Sequence, residues 1–312
     1  MNVKFACALL GLLFLIFPGF SGAAETPQRD PVAAEKVVET QAKDTGGGEY
    51  QSKARRFFAN QSFELSFMYY NFDYKEDLPA PVKSTENGWL PGVYLGWSYN
   101  KKNFIYSKIF LEYSYGNTEY DGTDQSGAIH IKYSNDNHQF LFRGEFDIGY
   151  NFGLTKDISI KPYTGYGYRY WSRGEAVVIA NVISVNERYY WHYIPVGVGA
   201  EFNIGERFVI EPNGGLRVMF FGRMRAYFSD WNSNNTDPEF KLGNRTGWYA
   251  ELPVRYKLTR SWSIVLKPWY EYSQIGQSDN VAYIYNGAIN VAYEPSSRTN
   301  QYGVNVGAIF SF

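Results

Sequence analysis

From Gln61 to Phe312 apolar and polar side chains alternate with a period of two, and this constrains the fold more than any other feature of the chain. A strand sends successive side chains to opposite faces, whereas a helix would scatter the same residues around its circumference. In the last segment Tyr302, Val304, Val306, Ala308, Phe310 and Phe312 share one face, and Gly303, Asn305, Gly307 and Ser311 the other. Trp262, Ile264, Leu266, Pro268, Tyr270 and Tyr272 alternate likewise with Ser263, Lys267, Glu271 and Ser273. Phe140, Phe142, Phe146, Ile148, Tyr150 and Phe152 oppose Arg143, Glu145, Asp147 and Asn151.

Ten segments carry the pattern, near 61–72, 88–100, 104–117, 139–152, 158–173, 189–203, 208–226, 247–258, 262–274 and 299–312. Their connections alternate in length. Tight turns follow the even segments, at Asn100 to Asn103, Gly153 to Asp157, Gly205 to Arg207 and Thr259 to Ser261. Long polar loops follow the odd ones, near 73–87, 118–138, 174–188, 227–246 and 275–298. The expectation is an all-β fold: a ten-stranded antiparallel transmembrane β-barrel with short periplasmic turns and long extracellular loops.

Composition sharpens this. Aromatic residues make up 19% of the chain, yet its mean hydropathy falls on the polar side. Rings gather at segment ends (Trp89, Trp97, Tyr99, Tyr168, Tyr170, Trp248, Tyr256, Trp262), as in the interfacial girdles of a membrane barrel. A secreted sandwich or lipocalin-like barrel would turn its apolar face inward and carry few rings there. Only Phe5 to Phe20 is strongly apolar, which excludes a polytopic helical membrane protein.

Met1 to Ala24 reads as a secretory signal: Lys4, an apolar run, Pro18-Gly19, then the small residues Ser21 to Ala24. Residues 25–60, with Gly46-Gly47-Gly48, read as a flexible periplasmic tail, and 61–312 as the outer-membrane barrel. The single Cys, Cys7, falls inside the leader, so neither a disulfide framework nor a Cys-built metal site is expected. No cofactor and no metal site are expected: three His and no Cys in the exported chain suit no transition metal. The formal charge of −1 argues against nucleic acid as a partner.

By parity the inward acids are Glu64, Glu112, Glu145, Asp147, Glu201, Glu211, Glu251 and Glu271. The inward bases are Lys108, Arg143, Lys161, Arg169, Arg217, Arg255, Lys257 and Lys267. Ten strands make a narrow barrel, and equal numbers of opposite charges suit a salt-bridged plug; a narrow channel is the alternative. Arg169, Arg173, Arg223 and Arg225 lie near the outer ends of their strands and make a candidate anion-binding mouth for lipopolysaccharide phosphates or an acidic ligand. The alternative is pairing with loop acids such as Glu187, Asp230 and Asp237.

Three stretches resemble the omptin family of outer-membrane proteases: Gly144-Glu145-Phe146-Asp147-Ile148, Tyr163-Thr164-Gly165-Tyr166-Gly167-Tyr168-Arg169-Tyr170 and Tyr193-Ile194-Pro195-Val196-Gly197. They are similar to that family's fourth, fifth and sixth strands, and Phe312 resembles the terminal aromatic by which assembly machinery recognises outer-membrane barrels. The resemblance implies an acid pair in the second outer loop facing an Asp-x-His pair near the top of strand seven, which together activate a water. This sequence departs from it. Asp121 and Asp124 are separated by two residues rather than one, Asp230 has no His beside it, and the Asp136-Asn137-His138 triplet precedes strand four. Asp121, Asp124, Asp136, His138 and Asp230 are therefore the catalytic candidates of an omptin-like endopeptidase, and general-base chemistry requires His138 to reach the acids. The reading preferred on the residues is non-enzymatic: an outer-membrane barrel, in contact with lipid and lipopolysaccharide, that recognises ligands through its loops.

Overall fold

The computed structural model describes residues 60–123, 132–174, 178–179 and 182–312. The proposed leader and all of the proposed tail except Asn60 lie outside them, as do Asp124 and His130. Ten strands form the wall: β1 (Gln61–Glu76), β2 (Ser84–Asn100), β3 (Phe104–Thr123), β4 (Lys132–Gly153), β5 (Ile158–Arg173) and β6 (Glu187–Ile204) run unbroken. In β7 the pair Glu211-Pro212 separates Phe208–Ile210 from Asn213–Ala226, and in β8 Leu252-Pro253 separates Thr246–Glu251 from Val254–Lys257. β9 (Trp262–Ile275) and β10 (Ser297–Ser311) complete the set.

Every neighbouring pair is antiparallel, and β10 returns to β1 in an unbroken register from Ser62↔Ser311 to Glu76↔Ser297. Closure matters physically because an open sheet edge in hydrocarbon would leave its N–H and C=O groups unpaired. The outward face is an aliphatic band, with Leu65, Val93, Ile109, Val196, Leu216, Leu266 and Val306 all exposed. Above it sit Tyr69, Trp89, Tyr302, Tyr113, Phe140, Tyr170, His192, Phe220 and Trp248 in ring-to-ring contact around the wall. Below it sit Trp262 and Phe310, and Phe208 and Tyr256. Two rings of aromatics bracketing an aliphatic belt mark the height of a bilayer.

The strands outrun their sequence-based limits at the upper end. β1 continues to Glu76, β2 begins at Ser84, β3 reaches Thr123 and β4 begins at Lys132, so much of what reads as loops near 73–87 and 118–138 is wall. Above the upper girdle the outer face of a strand turns polar while Tyr74, Trp171, Tyr189, Met224 and Phe240 are buried inside, so the alternation of the belt reverses although the pleat continues. The remaining upper connections carry a short hairpin, Val281–Tyr285 with Ala288–Ala292, and a three-residue strand, Glu239–Lys241, added beside β7. Inside, Gly167 and Gly197 sit where a Cβ would lie 2.1 Å from the Tyr193 ring and 2.5 Å from the Tyr163 ring. These close approaches require glycine and let the two tyrosines fill the lumen.

Candidate functional site

The lumen holds three charged layers. The lowest lies near the periplasmic end, where Lys161 bridges Glu201 (3.3 Å) and Glu211 (3.2 Å), Arg255 meets Glu211 (2.6 Å), Lys267 meets Glu64 (2.9 Å) and Lys108 meets Glu251 (3.5 Å). In the middle layer the Glu271 carboxylate takes three guanidiniums: Arg143 and Arg169 at 2.6 Å each and Arg217 at 3.0 Å. Arg217 also holds Glu145 at 2.9 Å, Arg143 holds Glu112 at 3.4 Å, and Arg169 donates to the Gln301 side chain at 2.8 Å. Tyr163 and Tyr249 hydroxyls bond across the same level. Spaces between these groups are about 30 and 20 Å³, on the scale of single waters. Parity places these acids and bases inward, and they pair across the lumen; Asp147 and Lys257, assigned inward on the same ground, form no ion pair among the described residues.

The third layer lies above the upper girdle and was hidden in segments that read as loops. Arg173, reaching in from the top of β5, lies 3.0 Å from Glu187, 3.2 Å from Glu86 and 3.5 Å from Glu76. Its guanidinium stacks 4.8 Å from the Tyr74 ring. Glu86 is fully buried and accepts from Asn137 (2.9 Å), Thr118 (3.1 Å) and Gln139 (2.5 Å), while the Trp171 indole donates to Gln139 at 2.7 Å. Glu294, arriving from the last upper connection, lies 2.7 Å from the Tyr189 hydroxyl, which also lies 3.0 Å from Glu187. One hydroxyl donates one proton, so both contacts form only when one carboxyl is protonated. Glu187 faces Arg173, which leaves Glu294 as the protonated partner: it donates to Tyr189, and Tyr189 donates to Glu187. Burial first, then the neighbouring Glu187 and Glu76 charges, push the Glu294 carboxyl well above its ordinary range, in agreement with that assignment.

The four arginines of the expected anion mouth separate into two pairs. Arg169 and Arg173 are buried in the lumen with acid partners. Arg223 and Arg225 point outward, because a bulge between Phe220 and Arg223 puts Phe221 at φ 50° and shifts the face of every residue beyond it. Both pair with Glu239, at 3.5 and 3.3 Å. Around them on the outer face stand Arg188, over the Tyr227 ring at 4.4 Å, and the exposed Lys241. This basic belt lies directly above the girdle rings of His192, Phe220 and Phe221. Of the loop acids named as alternatives, Glu187 does pair with Arg173, whereas Asp237 accepts from Ser229.

Among the described residues, the catalytic candidates Asp121, Asp136, His138 and Asp230 are not seen to converge. Asp121 pairs with Lys83 at 2.5 Å on the outer face of β3. His138 stacks on Tyr115 and bonds Asn117 at 2.6 Å on the outer face of β4. Asn117 and Asp121 are four residues apart on one strand, about 13 Å at ~3.3 Å per residue, so His138 does not reach Asp121. Asp136 is exposed and stands opposite Glu119, and Asp230 is exposed in a short 3-10 turn, Phe228–Asp230. Asp124 lies outside the described residues.

No family model matches the sequence, and no curated protein matches it. Solved structures do. The outer membrane protease OmpT from Escherichia coli is similar at a TM-score of 0.57 and 9% identity, over 81% of this chain and 97% of that one. The translocator domain of the autotransporter NalP from Neisseria meningitidis follows at 0.41, 8% identity, 85% and 95% coverage. OprG from Pseudomonas aeruginosa follows at 0.35, 12% identity, 81% and 96% coverage. The stretches that resemble omptin strands fall on β4, β5 and β6. The chain has the outer-membrane β-barrel fold with omptin-like architecture, and at 9% identity its likeness to OmpT is one of fold alone.

Proposed function

We propose that this chain is an integral protein of the bacterial outer membrane that is non-enzymatic, closed to ion flow and specialised for recognition at the cell surface. One observation carries the reading: a single buried carboxylate, Glu271, ties arginines from β4, β5 and β7 together across the lumen. A conducting pathway would have to break that knot, which counts against the channel alternative. The separation of His138 from Asp121 counts against the endopeptidase alternative. The leader 1–24 is removed on export, the tail 25–60 stays in the periplasm, and Phe312 presents the chain to the assembly machinery. The outward belt of Arg188, Arg223, Arg225 and Lys241 sits at headgroup height, where guanidiniums bind lipopolysaccharide phosphates through paired hydrogen bonds. Arg169 and Arg173 belong to the lumen instead.

The test is incubation of refolded protein with basic peptides and lipopolysaccharide. Intact peptides and lipopolysaccharide retention that weakens in Arg223→Ala/Arg225→Ala are expected. Reproducible cleavage lost in His138→Ala would overturn the non-enzymatic reading.

A further inference from the structure

Asp147 is the charge that the pairing inside the lumen leaves over. It lies on the inward face of β4, is 3% exposed, and has one carboxylate oxygen, Oδ1, buried with no hydrogen-bond partner. Lys108 stands directly opposite it in the β3–β4 register, yet the Lys108 ammonium goes to Glu251 at 3.5 Å. Were Lys108 to turn back to Asp147, Glu251 would become the unpaired charge instead. Lys257 does not supply the balance, since it lies six residues beyond Glu251 on β8, about 20 Å towards the periplasmic rim. A charge sealed inside a protein needs a partner, because desolvation makes the lack of one costly.

The space beside Asp147 repeats that arithmetic. A cavity of about 30 Å³ is lined by the carboxylates of Glu112, Glu145, Asp147, Glu251 and Glu271. All but Asp147 have a cation of their own: Arg143 on Glu112, Arg217 on Glu145, Lys108 on Glu251 and Arg169 on Glu271. The remainder is a single negative charge. Glu145 and Asp147 share one face of β4 two residues apart, and like charges so placed repel unless something positive lies between them. Since ~10–15 Å³ holds one water, the cavity has room for a bare ion with a water and none for an organic cation. Its polar lining includes the Tyr163 and Tyr249 hydroxyls as well as the carboxylates, oxygen ligands of the kind that hard cations take. Among the described residues no three acids converge as a multidentate metal site, and the surplus of one charge matches a monovalent ion. A larger space of about 230 Å³ inside the barrel, beside Gln61 and Phe312 at the periplasmic end, shares Tyr94, Lys108, Tyr163 and Glu251 with the cavity and gives it an approach from that side.

We propose that this cavity binds one sodium-sized monovalent cation, held by Asp147 Oδ1 with Glu145 beside it, and that the ion completes the charge balance of the plug. The inference rests on the lumen alone and is independent of the recognition role proposed for the outer surface.

The full chain is refolded in maltoside detergent and freed of sodium by dialysis against N-methylglucamine chloride. It is then unfolded with urea at constant ionic strength while sodium replaces N-methylglucamine. The wild-type midpoint is expected to rise saturably, by about 0.5–1 M urea at sodium well above its Kd, and equilibrium dialysis with radioactive sodium should find one ion bound per chain. Asp147→Asn, which keeps the shape and removes the charge, should abolish both, and Asp147→Ser serves should Asp147→Asn not fold. Asp157→Asn, at a periplasmic turn, should keep both. A wild-type midpoint that is the same in sodium and in N-methylglucamine, the result if Asp147 holds a proton instead, overturns the site. So does a sodium response that persists in both Asp147 variants or is matched by potassium.

Discussion

Replacing Glu271 by Ala should be the most damaging single change in the lumen. Glu271 is 4% exposed and binds Arg143, Arg169 and Arg217 within 3.0 Å. After its loss Arg143 retains Glu112 and Arg217 retains Glu145, at 3.4 and 2.9 Å. Arg169 keeps a neutral bond to Gln301 and the face of the Trp191 ring, 5.4 Å away, but no counter-charge. One buried guanidinium thus loses its counter-charge, which costs about 3–5 kcal/mol when one partner of a buried pair is removed. Removing the orphaned cation as well should recover much of the loss, so Glu271→Ala/Arg169→Met should be less damaging than the sum of its parts by about 1–3 kcal/mol. Urea unfolding in vesicles, followed by tryptophan fluorescence, reads the midpoint and slope for each variant. A Glu271→Ala loss below about 1 kcal/mol, or additivity within about 0.5 kcal/mol, would refute the idea that this carboxylate holds the plug together.

Three further outcomes are expected. The Glu294 carboxyl is held protonated, so its contribution to docking of the upper hairpin is fully present below the ordinary Glu value of 4.5 and is lost as pH rises through its elevated folded value. Protease nicking of 281–292 should therefore increase towards alkaline pH, and Glu294→Gln should flatten that dependence; a wild-type profile independent of pH contradicts the shared proton. His138→Ala and Asp121→Ala should leave basic peptides as intact as wild type does, measured by mass spectrometry of the digests. Arg223→Ala/Arg225→Ala should weaken lipopolysaccharide retention several-fold and make what remains less salt-dependent, since screening acts on exposed charges; unchanged retention in pull-down at low salt removes the belt as a binding site.

The barrel was legible because a bilayer imposes the same alternation on every strand: Val304, Val306 and Ala308 face lipid while Asn305 pairs with the Trp269 indole inside. Charges such as Lys267, Glu271 and Arg143 could be assigned to the lumen on parity alone. The upper chamber was not legible from the same signal, since Glu76, Glu86 and Glu187 lie beyond the girdle, where rings such as Tyr74, Trp171 and Tyr189 turn inward and the outer face turns polar. A finer reading could have found Glu76, because Met68, Tyr70, Phe72, Tyr74 and Glu76 keep one parity without a break and all prove buried. Arg223 and Arg225 show the opposite limit. Strict alternation from Arg217 would turn them inward, and only the bulge at Phe221, invisible in composition, turns them out.

Single-channel recording in planar bilayers tests the central claim, a closed, charge-filled membrane barrel, most directly. The account predicts a flat trace for wild type at either polarity and the appearance of discrete current steps only when Glu271→Ala loosens the middle layer. Reproducible steps of constant size from the wild-type protein would contradict it.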